Sequence, residues 1–137
     1  DTVRRQRQMC IRDSSYISQV RNLSMINIYR FIFIVTFLFI SYSAFVPSDA
    51  TSSIPNLDKA LHLIAFLVLS FLLDLSIKKP LNTSKNFIFF LVAYAGSIEI
   101  VQYYLTYRSA EILDFLSDLL GILVYLYFAP KIIHRTS

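Results

Sequence analysis

The sequence has little of what a soluble protein normally contains. Only 16% of its 137 residues are charged, 55% are apolar, and the mean hydropathy is +0.55. Soluble domains average about a quarter charged and under half apolar residues. The composition therefore excludes an ordinary soluble globule and favours a membrane protein. Because one membrane crossing takes about 20 apolar residues, the length allows at most about four or five spanning helices and excludes a receptor-sized or channel-sized fold.

Cysteine and histidine are also scarce, and tryptophan is missing. The single cysteine, Cys10, cannot form a disulfide within the chain, and with two histidines the sequence cannot build a cysteine-rich zinc site. The chain has no Gly-rich phosphate loop, no nucleophile elbow and no Ser-His-Asp order. Redox chemistry and structural zinc are therefore disfavoured. We expect no cofactor and no nucleic-acid partner.

Four long apolar runs dominate what is present, and each is long enough to span a bilayer. They cover residues 26–46, 57–77, 86–105 and 112–129. The sequence therefore predicts an all-α fold, an integral membrane bundle of four transmembrane helices within residues 25–137. Its immediate partner is the lipid bilayer, and homo-oligomerisation is left open.

The first 24 residues differ from the rest because they are basic and poor in apolar residues. Such a segment is typical of a disordered cytoplasmic tail or of an organelle transit peptide. Residues Val3 to Ser14 also resemble translated adapter sequence, which would make Met25 the native start. We predict a disordered leader over residues 1–24 that is not native. The first apolar run has an alternative interpretation as a cleaved signal peptide, because Arg30 precedes its apolar core.

The placement of lysine and arginine predicts the orientation of the bundle. If the N-terminus is cytoplasmic, 11 of the 13 basic residues fall on the cytoplasmic side. Only Lys59 and Arg108 fall on the outer side. The positive-inside rule therefore predicts that both termini are cytoplasmic.

Polar side chains in the apolar runs and in the outer loop cluster on the outer side of this topology. A charge at membrane depth costs about 2.5–3.5 kcal/mol, so each one is a candidate functional residue. Spacings of three or four residues put such side chains in pairs on one helix face, and the deeper member of each pair reaches a similar layer. The candidate ligand-binding residues are Asp58, Lys59, His62, Glu99, Gln102, Arg108, Asp114 and Asp118.

These residues form three motifs in series. They are Asp58-Lys59-x-x-His62-x-x-x-Phe66, then Ile98-Glu99-x-x-Gln102, then Arg108-Ser109 followed by Asp114-x-x-x-Asp118-x-x-Gly121. Their order and spacing resemble the VanZ-like family of small bacterial membrane proteins, over about Met25 to Phe128. Two positions depart from that family, which usually has Asn where this chain has Asp118 and often has Gly where it has Tyr125. The resemblance implies a multi-pass protein of the bacterial cytoplasmic (inner) membrane, and a role in the cell envelope or in teicoplanin-type antibiotic resistance. It implies no reaction.

The outer polar residues have three interpretations. In the first, they face a cavity that binds an envelope lipid head group or a glycopeptide-like ligand, with Lys59 and Arg108 contacting anionic groups. In the second, Glu99 and His62 are the catalytic acid and base of an intramembrane enzyme that acts on a lipid-linked substrate. In the third, they only hydrogen-bond across helices, at about 0.6 kcal/mol each. Binding is favoured, since it explains why two basic residues depart from the positive-inside rule.

A metal ion is disfavoured by the sequence. His62, Glu99, Asp114 and Asp118 together could hold a divalent cation. Only one histidine is available, however, and Lys59 is close by in the sequence. We therefore expect no metal ligand. A further acidic residue, Asp74, has no motif context and is interpreted as interfacial.

The asymmetry of basic residues predicts which connections face outward. In a chain carrying Cys10→Ser, the variants Ser52→Cys and Ser109→Cys should react with an impermeant thiol reagent added to intact cells. The variant Thr83→Cys should react only after the membrane is permeabilised, because the basic residues around it hold that connection in the cytoplasm. If only Thr83→Cys is labelled in intact cells, the orientation of the bundle is the reverse of the predicted one.

Overall fold

The computed structural model is a bundle of antiparallel helices. It describes residues 2–47, 56–107 and 111–133, and these contain no strand. The segments Asn22–Phe45, Leu57–Ser76, Lys85–Tyr104 and Ile112–Ala129 are each long and apolar enough to cross a membrane. The predicted all-α fold with four candidate spans is therefore confirmed. The helices are α1 (Thr2–Phe45), α2 (Leu57–Ser76), a short 3-10 helix (Leu81–Thr83), α3 (Lys85–Tyr104) and α4 (Ile112–Ile133).

Helix α1 begins far earlier than the sequence predicts. We expected a disordered leader over residues 1–24, whereas the structure continues the first span back to Thr2 as one helix of 44 residues. The physical reason is that no proline or glycine occurs before Pro47, so nothing interrupts the hydrogen-bond ladder of the helix. Whether residues 1–24 belong to the native protein stays a prediction.

The core lies between α2 and its neighbours. Helix α2 packs most extensively on α4 and then on α1, while α3 packs mainly on α4. Large apolar side chains cover the outside of the helices, and Phe31, Phe89 and Ile112 are 69%, 74% and 81% exposed. Because lipid tails are as apolar as these side chains, their exposure fits a bilayer. The buried apolar residues are Phe66, Leu69, Leu73, Leu81, Leu91, Ala95, Ile98, Ile122, Tyr125 and Ala129.

A glycine sets the distance between α2 and α4. A Cβ atom on Gly121 would overlap the carbonyl oxygen of Leu63 and would lie 3.2 Å from the backbone nitrogen of Leu67. Both are backbone atoms of α2, so they cannot rotate away as a side chain would. Gly121 therefore allows the two backbones to touch, as small residues do in membrane helix pairs.

At one end of the bundle, Asp74 joins three elements. Its Oδ1 accepts a hydrogen bond from the backbone N–H of Leu81 at 2.8 Å, and its Oδ2 accepts one from the hydroxyl of Tyr125 at 2.6 Å. Nearby, Nε of Arg30 donates to the carbonyl oxygen of Ser76 at 3.0 Å. Asp74, which the sequence analysis interprets as interfacial, is only 8% exposed, and both of its oxygens are bonded within the protein. Tyr125, at a position where the sequence departs from the family, provides one of these bonds.

The close approach of α2 and α4 predicts opposite behaviour for the two glycines. Gly121→Ala should destabilise the bundle by about 1–3 kcal/mol, because the added methyl group has to push the two backbones apart. Gly96→Ala should be tolerated, since a Cβ there would lie 3.8 Å from a ring atom of Phe115, an ordinary contact. Thermal unfolding of both variants in detergent measures the difference. Equal melting temperatures would contradict this account of α2–α4 packing.

Candidate functional site

The candidate residues gather at the end of the bundle opposite Asp74. The C-terminal ends of α1 and α3 meet the N-terminal ends of α2 and α4 here, and we call it the polar end. Two side-chain bonds join α3 and its following turn to α1. Gln102 Nε2 donates to the carbonyl oxygen of Ala44 at 3.0 Å. The hydroxyl of Tyr107 donates to the carbonyl oxygen of Phe45 at 2.9 Å.

Three of the predicted residues meet in the interior of the polar end. His62 Nδ1 and Asp118 Oδ1 lie 2.9 Å apart, and Asp118 is fully buried. One polar atom each from His62, Glu99 and Asp118 lies within 4.8 Å of the other two. The predicted convergence of α2, α3 and α4 in one layer is therefore present.

A second group lies closer to the end of the helices. Polar atoms of Asp58, His62 and Asp114 also lie within 4.8 Å of one another, and Asp114 is 2% exposed. Beside it, Lys59 Nζ lies 2.8 Å from Glu111 Oε2 and 3.9 Å from Asp114 Oδ1. The lysine expected to contact an anionic ligand is thus paired with two carboxylates of the protein.

Some predicted residues take other positions, and one residue was missed. Gln102 turns its amide to α1 instead of to the acidic side chains. Arg108 lies outside the described residues. Glu111, which pairs with Lys59, was not predicted. The sequence pattern contained it, because residue 111 precedes Asp114 by three positions and Asp118 by seven. This spacing aligns Glu111, immediately before α4, with the helix face that carries the two aspartates.

Carboxylate oxygens at the polar end outnumber the protein donors that reach them. Among the described residues, four buried oxygens have no hydrogen-bond partner: both of Glu99, Oδ1 of Asp114 and Oδ2 of Asp118. A buried acceptor without a partner costs about 1–3 kcal/mol, and a charged one costs more. Asp74 at the opposite end has both of its oxygens bonded. The two ends therefore differ in chemistry as well as in position.

Two cavities flank these residues. The first, of about 310 Å³, lies between α1, α2 and α3, and its polar lining residues are Ser43, Asp58, His62 and Gln102. The second, of about 660 Å³, is a groove between α3 and α4. The groove combines two carboxylates with an apolar and aromatic wall. It is lined by Gly96, Glu99, Ile100, Tyr103, Tyr104, Glu111, Ile112 and Phe115.

Four candidate spans around a buried acidic site define a small, multi-pass α-helical membrane protein. The chain belongs to the VanZ/LLP1 family, whose family model matches residues 6–134. The resemblance inferred from the three motifs is thereby confirmed. Comparison with curated proteins and with solved structures finds no match.

Proposed function

We propose that this protein binds the head group of an envelope lipid at its polar end. The observation that carries the proposal is the groove of about 660 Å³ between α3 and α4. Its walls contain Glu99 and Glu111 beside Ile100, Tyr104 and Phe115. A largely apolar pocket with a few convergent polar groups is typical of a small-molecule site. An amphiphile fits it with the head group at the carboxylates and the tail along the aromatic wall.

The charges at the polar end restrict the head group. Lys59 is already paired with Glu111 and lies close to Asp114, so it does not offer a free positive charge to a phosphate. The oxygens of Glu99 have no protein donor among the described residues. They favour a head group with hydroxyl or ammonium donors, as in an amino or sugar lipid. A glycopeptide-like ligand shares these donors and is the alternative occupant.

The orientation is part of the proposal. Arg30 contacts the C-terminal end of α2, and Lys78, Lys79 and Lys85 follow in the α2–α3 connection, so these basic residues lie opposite the polar end. The positive-inside rule then favours cytoplasmic termini and a polar end that faces outward. In a bacterial cytoplasmic membrane this position gives access to outer-leaflet lipids. It supports a role in the cell envelope and, through lipid-linked precursors, in resistance of the teicoplanin type.

A second candidate function, acid-base catalysis on the bound lipid, is favoured by one observation. The His62 ring is held 2.9 Å from a buried carboxylate, and Glu99 lies within 4.8 Å of the pair. A carboxylate that orients an imidazole beside a second carboxylate is an arrangement suited to proton transfer. Turnover of a lipid-linked substrate by the purified protein would support catalysis over binding.

The proposal predicts a specific loss in Glu99→Gln. This variant keeps the size of the side chain and removes its charge, and its oxygens make no hydrogen bond that holds the described fold together. It should therefore accumulate and melt normally, yet retain roughly tenfold less co-purifying lipid or worse, because a hydrogen bond to a charged group contributes about 1.5–3 kcal/mol. Mass spectrometry of the lipid released from purified protein measures the retention.

The matched control changes a charge at the opposite end. Lys78→Gln should retain lipid at the normal level, whereas Glu111→Gln, which changes the second carboxylate of the groove, should lose it as Glu99→Gln does. Normal lipid retention in both acidic variants would leave the polar end as a structural feature and contradict the proposed function. Retention of a glycopeptide instead of a lipid would keep the site and change its ligand.

A further inference from the structure

We propose that His62, Glu99 and Asp118 form a binding site for a divalent transition-metal cation. The three residues come from α2, α3 and α4, and each offers one ligand atom within 4.8 Å of the other two. Nitrogen and oxygen ligands lie about 2.0–2.2 Å from such a cation, so two of them are separated by at most about 4.0–4.4 Å. The 4.8 Å within which the three atoms lie exceeds that separation by about 0.4–0.8 Å, which the side chains have to close when the cation binds.

The second observation is that carboxylate oxygens of Glu99 and Asp118 lack hydrogen-bond partners among the described residues. Asp118 is fully buried, yet its Oδ2 accepts no hydrogen bond among the described residues, and neither oxygen of Glu99 does. A carboxylate buried for structural reasons looks different in this same bundle. Both oxygens of Asp74 are bonded, one to the backbone of Leu81 and one to Tyr125. The unpartnered oxygens near His62 therefore point to a positively charged ligand.

The neighbouring group of Asp58, His62 and Asp114 is a poorer site. Lys59 Nζ lies 3.9 Å from Asp114 Oδ1 and already balances part of the negative charge that would attract a cation there. No ion pair joins Lys59 to Glu99 or Asp118 among the described residues. The sequence-based argument against a metal, a nearby lysine, thus applies to the group at the helix ends and not to the deeper one.

The ligand chemistry selects the class of cation. Carboxylates bind Mn²⁺ and Mg²⁺ well, whereas imidazole favours first-row transition metals, so one imidazole with two carboxylates suits Mn²⁺ or Zn²⁺ better than Mg²⁺ or Ca²⁺. Three protein ligands also leave coordination positions open for an exogenous oxygen. The cation site does not require the proposed function. If both hold, Glu99 contacts the head group through the cation, which takes a hydroxyl oxygen of the head group as a further ligand.

The experiment titrates the full chain with metal alone. Protein purified in detergent with a histidine-free tag is stripped with a chelator and dialysed against Mn²⁺, and bound metal is measured by elemental analysis. We expect one saturable site per chain and a rise in melting temperature on Mn²⁺ addition. Glu99→Gln and Asp118→Asn should each weaken binding roughly 10–100-fold or more. The paramagnetic resonance of bound Mn²⁺ should show coupling to one nitrogen.

Asp74→Asn is the matched control, since it makes the same chemical change to a buried carboxylate at the other end. It should bind Mn²⁺ with unchanged affinity even if its melting temperature falls. The site is refuted by the lack of saturable binding, by binding that survives Glu99→Gln, or by a loss confined to Asp114→Asn. Lipid retention is measured separately on metal-loaded and stripped protein. Metal binding without retained lipid would contradict only the proposed function, and retained lipid without metal binding would contradict only the cation site.

Discussion

The contact of Gly121 with the backbone of α2 is the constraint on which the rest of the structure depends. It brings α4 against Leu63, the residue after His62. Asp118 precedes Gly121 by three positions and therefore lies on the same face of α4. The hydrogen bond between His62 and Asp118 and the burial of that carboxylate follow from this one approach. A larger residue at 121 would separate the helices at the depth where the polar residues meet.

Buried carboxylates at the two ends of the bundle differ in how many hydrogen-bond donors the protein provides to them. Asp74 is surrounded by enough donors from the protein, because the 3-10 helix presents the N–H of Leu81 and α4 presents Tyr125. The carboxylates around His62 have too few protein donors, so some of their oxygens are left to bind a ligand. A bundle that needed only stability would gain from apolar side chains at those positions, since replacing buried ionic groups is often neutral or stabilising. The imbalance at the polar end is thus an argument for binding.

Much of the fold could be predicted from the sequence because its signals are local. Four apolar runs predict four spans, three- and four-residue spacings predict pairs on one helix face, and the helical rise predicts that His62, Glu99 and Asp118 share a layer. Glu111 obeys the same spacing and was overlooked, although the pattern contained it. The remaining contacts depend on tertiary structure. The burial of Asp74 depends on a turn and a tyrosine far along the chain, and the pairing of Lys59 with Glu111 depends on how α2 and α4 are aligned.

The unequal lengths of the spans have a consequence for the position of α1 in the membrane. The apolar segment of α1 has 24 residues, whereas those of α2 and α3 have 20 each. At about 1.5 Å per residue, these correspond to roughly 36 Å and 30 Å. Arg30 contacts Ser76 at the end of α2, so the residues of α1 that precede Arg30 extend past that end. In a bilayer whose thickness matches α2 and α3, this first part of α1 is expected to lie in the headgroup region, where Asn22, Asn27 and Arg30 meet water and anchor the helix at a fixed depth.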